Sequence, residues 1–530
     1  MKIPLDPSSW SLVRLVLHVA FFIALFQLLA RMFELRDFTE LRHLPRPRGA
    51  FRLPMRVLTL LFLGLLFYQA TWQLTGLVRP QFVSFMQLHD RREFNPAHWI
   101  QRGRILDRRG EVLAYSQEIR GQVRRRYPHG PVFAPVVGYS HPRFGATGME
   151  SVASVSLNGG APADLAGWGE LGRQIVTRDK RPQGQDLTLT LDAELQRFAV
   201  ERLGAHRGAV VVLRPSDGAI RVLASTPSYD PNRIGSALFE GDDPDVPLLN
   251  RATQGLYPPG STFKIAVAAM ALEQGFQGTL DCPADGFTTS SRYPKIRDHE
   301  YYSAIESGDT WRGYGRIDLT KALARSSNVF FAQLGVRYGY DVFYQMVERI
   351  QLNRQIPIEE SQYGSFMLRT GQLPRIARAD RYGLAQLSIG QGRLLVSPAF
   401  MAVLAAAVAN QGVAMKPYLI AQDLVRSWAT FMAAETAQRL TGMLRKVVTE
   451  GTARGIDSPA LAIAGKTGTA QNAQGDSHSW FVGFAPAERP ALAIAVLVEE
   501  GGFGSAVAAP IARDILLRAR TLGLLPHARD

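Results

Sequence analysis

LAIAGKTGTAQNAQGDSHSWFVGFAPAERPALAIAVLVEE, Leu461 to Glu500, decides how this chain folds. It contains three strand-like runs, LAIAGKTGTAQ, SWFVGFAP and PALAIAVLVEE, separated by the polar loop NAQGDSH and the turn AERP. Connections this short make consecutive strands antiparallel neighbours, so the stretch reads as a meander. Inside the first run, Gly468 permits the close approach of another backbone, and Thr467 and Thr469 supply hydroxyls. Lys466 has two readings here, a functional cation or a solvated edge charge of the kind that discourages aggregation.

Working outward, GQDLTLTLDAELQRFAVERLGA (Gly184 to Ala205) is an alternating strand followed by a helix capped near Asp192. GAVVVLRPSDGAIRVLAS (Gly208 to Ser225) is a hairpin turned at PSDG. The order strand, helix, hairpin, many helices, hairpins, helix predicts an α+β domain with an antiparallel sheet over 184–530. From 81 to 183 the chain is polar, Arg-rich and broken by Pro and Gly, and short alternating pieces predict a small β-rich module.

Two polar constellations interrupt the helices. In YPPGSTFKIAV (Tyr257 to Val267), Ser261 reads either as an N-cap or as a nucleophile with Lys264 as its base. The helix it opens, STFKIAVAAMALEQG, is apolar on nearly every face, and Gly275 suits its end. A hydroxyl and an amine at the mouth of such a helix cost desolvation unless they serve each other or a ligand. In IDLTKALARSSNVFFAQLG (Ile317 to Gly335), Ser326, Ser327 and Asn328 fall at a junction between two helices, the second predicted to end at Gly335. There Asn328 reads as a cap or as a group projecting into a cleft.

Composition narrows the partners. With 46% hydrophobic and 20% charged residues the chain is neither disordered nor all-membrane. Its net charge of +14 fits anionic lipid or an anionic cell-wall polymer, but no compact basic stripe with interleaved aromatics is present, which argues against nucleic acid. A single cysteine, Cys282, excludes an internal disulfide and a Cys-rich zinc site. Residues 1–80 read as a membrane anchor of one or two helices, the first of them a span or an interfacial helix. Leu12 to Ala30, with Arg14 and His18 inside it, and Val57 to Val78 are apolar runs near the length of about 20 residues that a bilayer requires. Seven arginines lie between Arg31 and Arg56, so the intervening loop is expected in the cytoplasm and everything after Val78 outside it.

Ser261-x-x-Lys264, Ser326-x-Asn328 and Lys466-Thr467-Gly468, in that order, resemble the signature set of penicillin-binding proteins and serine β-lactamases. RGRILDRRGEVLA (Arg102 to Ala114), GATGMES, LASTPSYDPN, LNRATQGLYPPGSTFK and SIGQG look like the flanking motifs of class B penicillin-binding proteins, the monofunctional transpeptidases. The likeness runs from Gln101 to about Val507. Class A β-lactamases carry E-x-x-L-N, whereas ERIQLN (Glu348 to Asn353) has one residue too many.

The resemblance implies a penicillin-binding, β-lactamase-like fold with a β-rich pedestal, or dimerisation-like domain, at 81–183. It also implies a D,D-transpeptidase in the bacterial inner membrane with its catalytic domain in the periplasm. The donor would be a D-Ala-D-Ala stem peptide and the acceptor a neighbouring amine, with β-lactams as covalent inhibitors and no cofactor or metal. Ser261, Lys264 and Ser326 would be catalytic; Asn328, Lys466, Thr467, Gly468 and Thr469 would bind substrate. Backbone N–H groups of Ser261 and Thr469 would form the oxyanion hole. A D,D-carboxypeptidase and a membrane-tethered scaffold remain open, and the pedestal implies docking on a SEDS-family glycosyltransferase. Arg102, Asp107 and Arg108 are expected to brace the pedestal rather than bind a ligand. Chemically, Lys264 must fall from its usual pKa of about 10.4 towards 7 to act as a base, which requires roughly 4 to 5 kcal/mol.

Overall fold

The computed structural model describes residues 20, 21, 23 and 27, 52–78, 101–119, 122–159, 183–241, 243–421, 424–472 and 475–526. It comprises two compact units, Met1–Arg79 and Pro80–Asp530. In the first, α1 (Arg52–Val78) covers the second apolar run. Leu58, Leu60, Leu61, Phe62 and Leu65 on it are exposed. Among the described residues no helix is long and apolar enough to cross a membrane. Arg14 and His18 lie outside the described residues.

The second unit begins with a small mixed sheet. Strands β1 (Ile105–Leu106), β2 (Val112–Ile119) and β3 (Gln122–Arg126) are joined by β4 (Leu187–Thr188) in the order β3-β2-β1-β4. Glu150 is fully buried between Arg102 at 2.8 Å and Arg125 at 2.6 Å. Burial pushes its carboxyl up, but the two guanidiniums outweigh that and hold it below the usual carboxylate range. The expected bracing reaches beyond the module. Asp107 accepts the Ala193 N–H at 3.0 Å, and Arg108 meets Asp192 at 3.1 Å, both at the N-terminus of α2 (Ala193–Leu203). Asp192 is indeed the N-cap of α2, accepting the Leu195 N–H.

The main sheet holds β5 (Gly208–Leu213), β6 (Ile220–Thr226), β9 (Ala464–Asn472), β10 (Gly475–Ala485) and β11 (Leu492–Val498). It is antiparallel throughout, in the order β9-β10-β11-β5-β6, and contains the predicted meander and hairpin. Every residue of β5, β6 and β11 is buried, because helices cover the sheet. Between hairpin and meander the chain forms α3 (Lys264–Glu273), β7 (Thr279–Cys282), α4 (His299–Ser307), β8 (Gly315–Asp318), α5 (Leu319–Arg325) and α6 (Asn328–Arg349). α7 (Arg381–Ser388), the apolar α8 (Pro398–Ala409) and α9 (Ala434–Thr449) follow, and α10 (Ala508–Thr521) closes the chain.

α6 departs from expectation. It does not end at Gly335 but continues to Arg349, with its break at Gly339, where φ is 80°. Gly335 has another purpose: a Cβ there would lie 1.9 Å from Ser388 Oγ, so its missing side chain lets α6 and α7 pack closely.

Candidate active site

The turn Pro258-Pro259-Gly260 is fixed on three sides. Tyr257 exchanges backbone hydrogen bonds with Val396, Gly260 N–H donates to Gly390 O at 3.0 Å, and Trp480 Nε1 donates to Pro258 O at 3.0 Å. Gly260 has φ 52°, and a Cβ would sit 2.8 Å from Thr469 O, so only glycine lets the turn approach β9 this closely. The chain then makes a 3-10 turn, Gly260–Phe263, and the α-helix starts at Lys264, later than expected. Ser261 makes no capping hydrogen bond; its Oγ lies 3.0 Å from Lys264 Nζ.

Lys264 is completely buried. Its Nζ also reaches Ser326 O at 2.7 Å, Asn328 Oδ1 at 2.7 Å and, less closely, Ser326 Oγ at 3.4 Å. Burial pushes the amine down from 10.5 to about 7, against the opposing pull of Asp298 and Glu300. About half of it is therefore neutral near pH 7. A neutral amine gives its two N–H bonds to Ser326 O and Asn328 Oδ1, which accept only, and its lone pair is left facing the Ser261 hydroxyl. The Asn328 amide cannot flip without loss, because its Nδ2 donates to Arg297 O at 3.0 Å.

Ser326 ends α5 with φ 61° and ψ 33°, a left-handed conformation that costs a non-glycine residue about 1 to 2 kcal/mol. The cap of α6 is Ser327, whose hydroxyl accepts the Phe330 N–H, and not Asn328. Thus the capping alternative falls on the neighbour, and Asn328 is freed to face Lys264.

Lys466 is also fully buried, although β9 is the edge of the sheet, which overturns the solvated-charge reading. Nζ donates to Thr467 O at 3.0 Å, and no carboxylate pairs with it among the described residues. Burial, reinforced by repulsion from Lys264, pushes it well below the usual lysine range. The close approach expected at Gly468 is made by the chain itself, since a Cβ there would lie 2.8 Å from Thr262 Cγ2 and 3.1 Å from Pro259 O. Thr467 Oγ1 pairs with Thr452 Oγ1 at 2.7 Å, and Thr469 Oγ1 accepts the Gly504 N–H at 3.3 Å. Thr452 and Asp298 were not legible as site residues, for neither lies in a motif.

Ser261, Lys264, Ser326 and Asn328 are therefore in direct contact, and the Lys466–Thr469 strand abuts them through Gly260 and Thr262. ERIQLN contributes nothing to this cluster: Asn353 uses both ends of its amide on the backbone of Leu373. A hydroxyl beside a half-neutral buried amine is an activated nucleophile, and a buried amine without a counter-ion is suited to receive a carboxylate.

A family model described as the penicillin binding protein transpeptidase domain matches residues 208–517, more than half of the chain. The chain belongs to the penicillin-binding transpeptidases. A second model, the penicillin binding protein A dimerisation domain, matches residues 102–185, and the pair of domains makes this a class B penicillin-binding protein. Among its relatives is the peptidoglycan D,D-transpeptidase PbpA of Mycobacterium tuberculosis, 32% identical over 458 residues, covering 78% of this chain and 88% of the relative. The peptidoglycan D,D-transpeptidase MrdA of Escherichia coli is 28% identical over 458 residues, covering 74% and 70% respectively. The ceftriaxone acyl-enzyme complex of penicillin-binding protein A from M. tuberculosis superposes with a TM-score of 0.69 at 29% identity, covering 80% of this penicillin-binding protein and 99% of that chain.

Proposed function

We propose that this penicillin-binding protein is a peptidoglycan D,D-transpeptidase that works through an acyl-enzyme on Ser261. The observation that carries the reading is Lys264 Nζ, 3.0 Å from Ser261 Oγ and fully buried, with its other close contacts made to acceptors. Ser261 Oγ attacks the carbonyl of the D-Ala-D-Ala bond as its proton passes to Lys264. Backbone N–H groups of Ser261 and Thr469 receive the developing oxyanion, a contribution typically worth about 3 to 4 kcal/mol per donor. Ser326 relays the proton to the leaving nitrogen, and D-Ala departs. A neighbouring stem's amine then attacks the acyl-enzyme and forms the cross-link.

Asn328 holds the substrate amide and Lys466, Thr467 and Thr469 take its terminal carboxylate, which supplies the counter-ion that Lys466 lacks. β-Lactams acylate the same serine; acyl-enzyme structures of penicillin-binding protein A support this. The apolar exposed face of α1 supports anchorage in membrane lipid, with residues after Val78 in the periplasm and residues 102–185 as a pedestal for a SEDS-family glycosyltransferase. Removal of residues 1–79 should move the protein from the membrane fraction to the soluble one; retention in the membrane refutes the anchor.

The purified full chain should label with a fluorescent penicillin, and Ser261→Ala should not. With a D-Ala-D-Ala peptide and an acceptor amine the product should be the amide; free acid alone would indicate a carboxypeptidase. Absence of wild-type labelling would sink the catalytic reading, and rapid release of hydrolysed drug would replace it with a β-lactamase.

A further inference from the structure

Asp298 is only 2% exposed and has no cationic side chain in ion-pair contact among the described residues. It occupies the N-cap position of α4, where Asp is favoured for its ability to bond its own helix. Yet its carboxylate makes no such cap. It turns instead to the start of α6: Oδ1 accepts the Ser327 hydroxyl at 2.9 Å and the Val329 N–H at 3.1 Å, and Oδ2 lies 3.2 Å from the same hydroxyl. The carbonyl one residue earlier, Arg297 O, accepts from Asn328 Nδ2. Two consecutive residues of one segment thus grip Ser327, Asn328 and Val329.

We propose that Asp298, together with the Arg297 carbonyl, is a positioning element for the proton transfer between Ser261 and Lys264. The inference rests on the transpeptidase reading of this same site. Ser326 is held in its left-handed conformation while its carbonyl and Asn328 Oδ1 face Lys264, and only that arrangement directs the amine's third valence at Ser261. The acidic grip fixes the turn at the N-terminus of α6, where a negative charge also favours the helix dipole. Among the described residues the charged and titratable neighbours include Arg297 and His299 on either side of Asp298, Lys264 on α3, Lys466 on β9, Glu300 on α4, Tyr314 bonded to Glu300, and Cys282 on β7, 3.8 Å from Ser327 Oγ. Asp298 favours the ammonium form of Lys264, so it adjusts the base as well as its geometry.

Full-length Asp298→Ala and Asp298→Asn are compared with wild type for the rate of acylation by fluorescent penicillin from pH 5 to 9, with thermal melts alongside. Asp298→Ala should lower the rate per folded molecule by about 100-fold, the scale of a misplacement near 1 Å. Asp298→Asn retains an acceptor for the Val329 N–H but removes the charge that favours protonated Lys264. Its acid limb should therefore move to lower pH, a change that a merely structural acid would not produce. Rates within twofold of wild type in both variants, or losses that follow the folded fraction with a fixed acid limb, overturn the proposal while leaving the transpeptidase intact. Failure of the wild type to be acylated removes both readings together.

Discussion

Replacing Lys264 by Met should abolish acylation and change how stability responds to pH. The buried amine titrates near 7 rather than 10.5. At about 1.4 kcal/mol for each tenfold, that gap is a cost to the folded state on the order of 5 kcal/mol. Its sign follows from proton linkage. Below about pH 7 both folded and unfolded chains hold the proton, and the folded state bears the whole cost. Between about 7 and 10.5 the unfolded chain keeps the proton and the folded chain has lost it, so the cost shrinks as pH rises.

Met removes this term but leaves Ser326 O and Asn328 Oδ1 without their donor, a loss of about 1 to 3 kcal/mol each. Those two effects nearly offset at neutral pH. The slope is the decisive quantity. From pH 7 to 9 the wild type should gain about 2 kcal/mol relative to Lys264→Met, roughly 2 to 4 °C in Tm for a large domain. Denaturant or thermal unfolding of both proteins across that range measures it. A difference that stays flat between pH 7 and 9 would refute the claim that Lys264 loses its proton near pH 7 in the folded protein.

Gly260→Ala adds a Cβ at 2.8 Å from Thr469 O in a left-handed backbone, so the turn must shift. We expect a stability loss of about 1 to 2 kcal/mol and acylation slowed by about 100-fold, read from melts and penicillin labelling. Glu150→Ala strands Arg102 and Arg125 in the pedestal and should cost about 3 to 5 kcal/mol. Its acylation rate per folded molecule should equal wild type; a rate change without a stability change would show that Glu150 communicates with the site.

The meander, the PSDG hairpin and the Asp192 cap were readable because each is a local pattern of alternation or capping chemistry. Ser261 and Lys264 were readable because three residues of spacing put them on one turn, and Ser326 and Asn328 because the junction between helices is marked by polar residues. What remained hidden depends on distant partners. Gly335 has the look of a helix end, yet its hydrogen is demanded by Ser388 on another helix. Lys466 looks like an edge charge in sequence, and only the packing around β9 makes it a buried amine. Asp298 and Thr452 have no periodic or motif signal, since their importance comes from Ser327 and Thr467, 29 and 15 positions away.

The pairing of β11 with β5 joins Leu492–Val498 to residues near 210, with most of the catalytic domain between them. Such non-local pairing is slow, because a long loop must close before any contact rewards it. As the chain emerges from the ribosome, the hairpin β5–β6 is complete long before its neighbour exists, and the inner edge of β5 stays open to other strands. Ser261 and Lys264 are likewise made about 200 residues before the strand that walls their cleft. A nascent chain, or one truncated before β9, therefore holds the nucleophile without a formed site, so a cut ahead of Ala464 silences the protein as thoroughly as losing the serine.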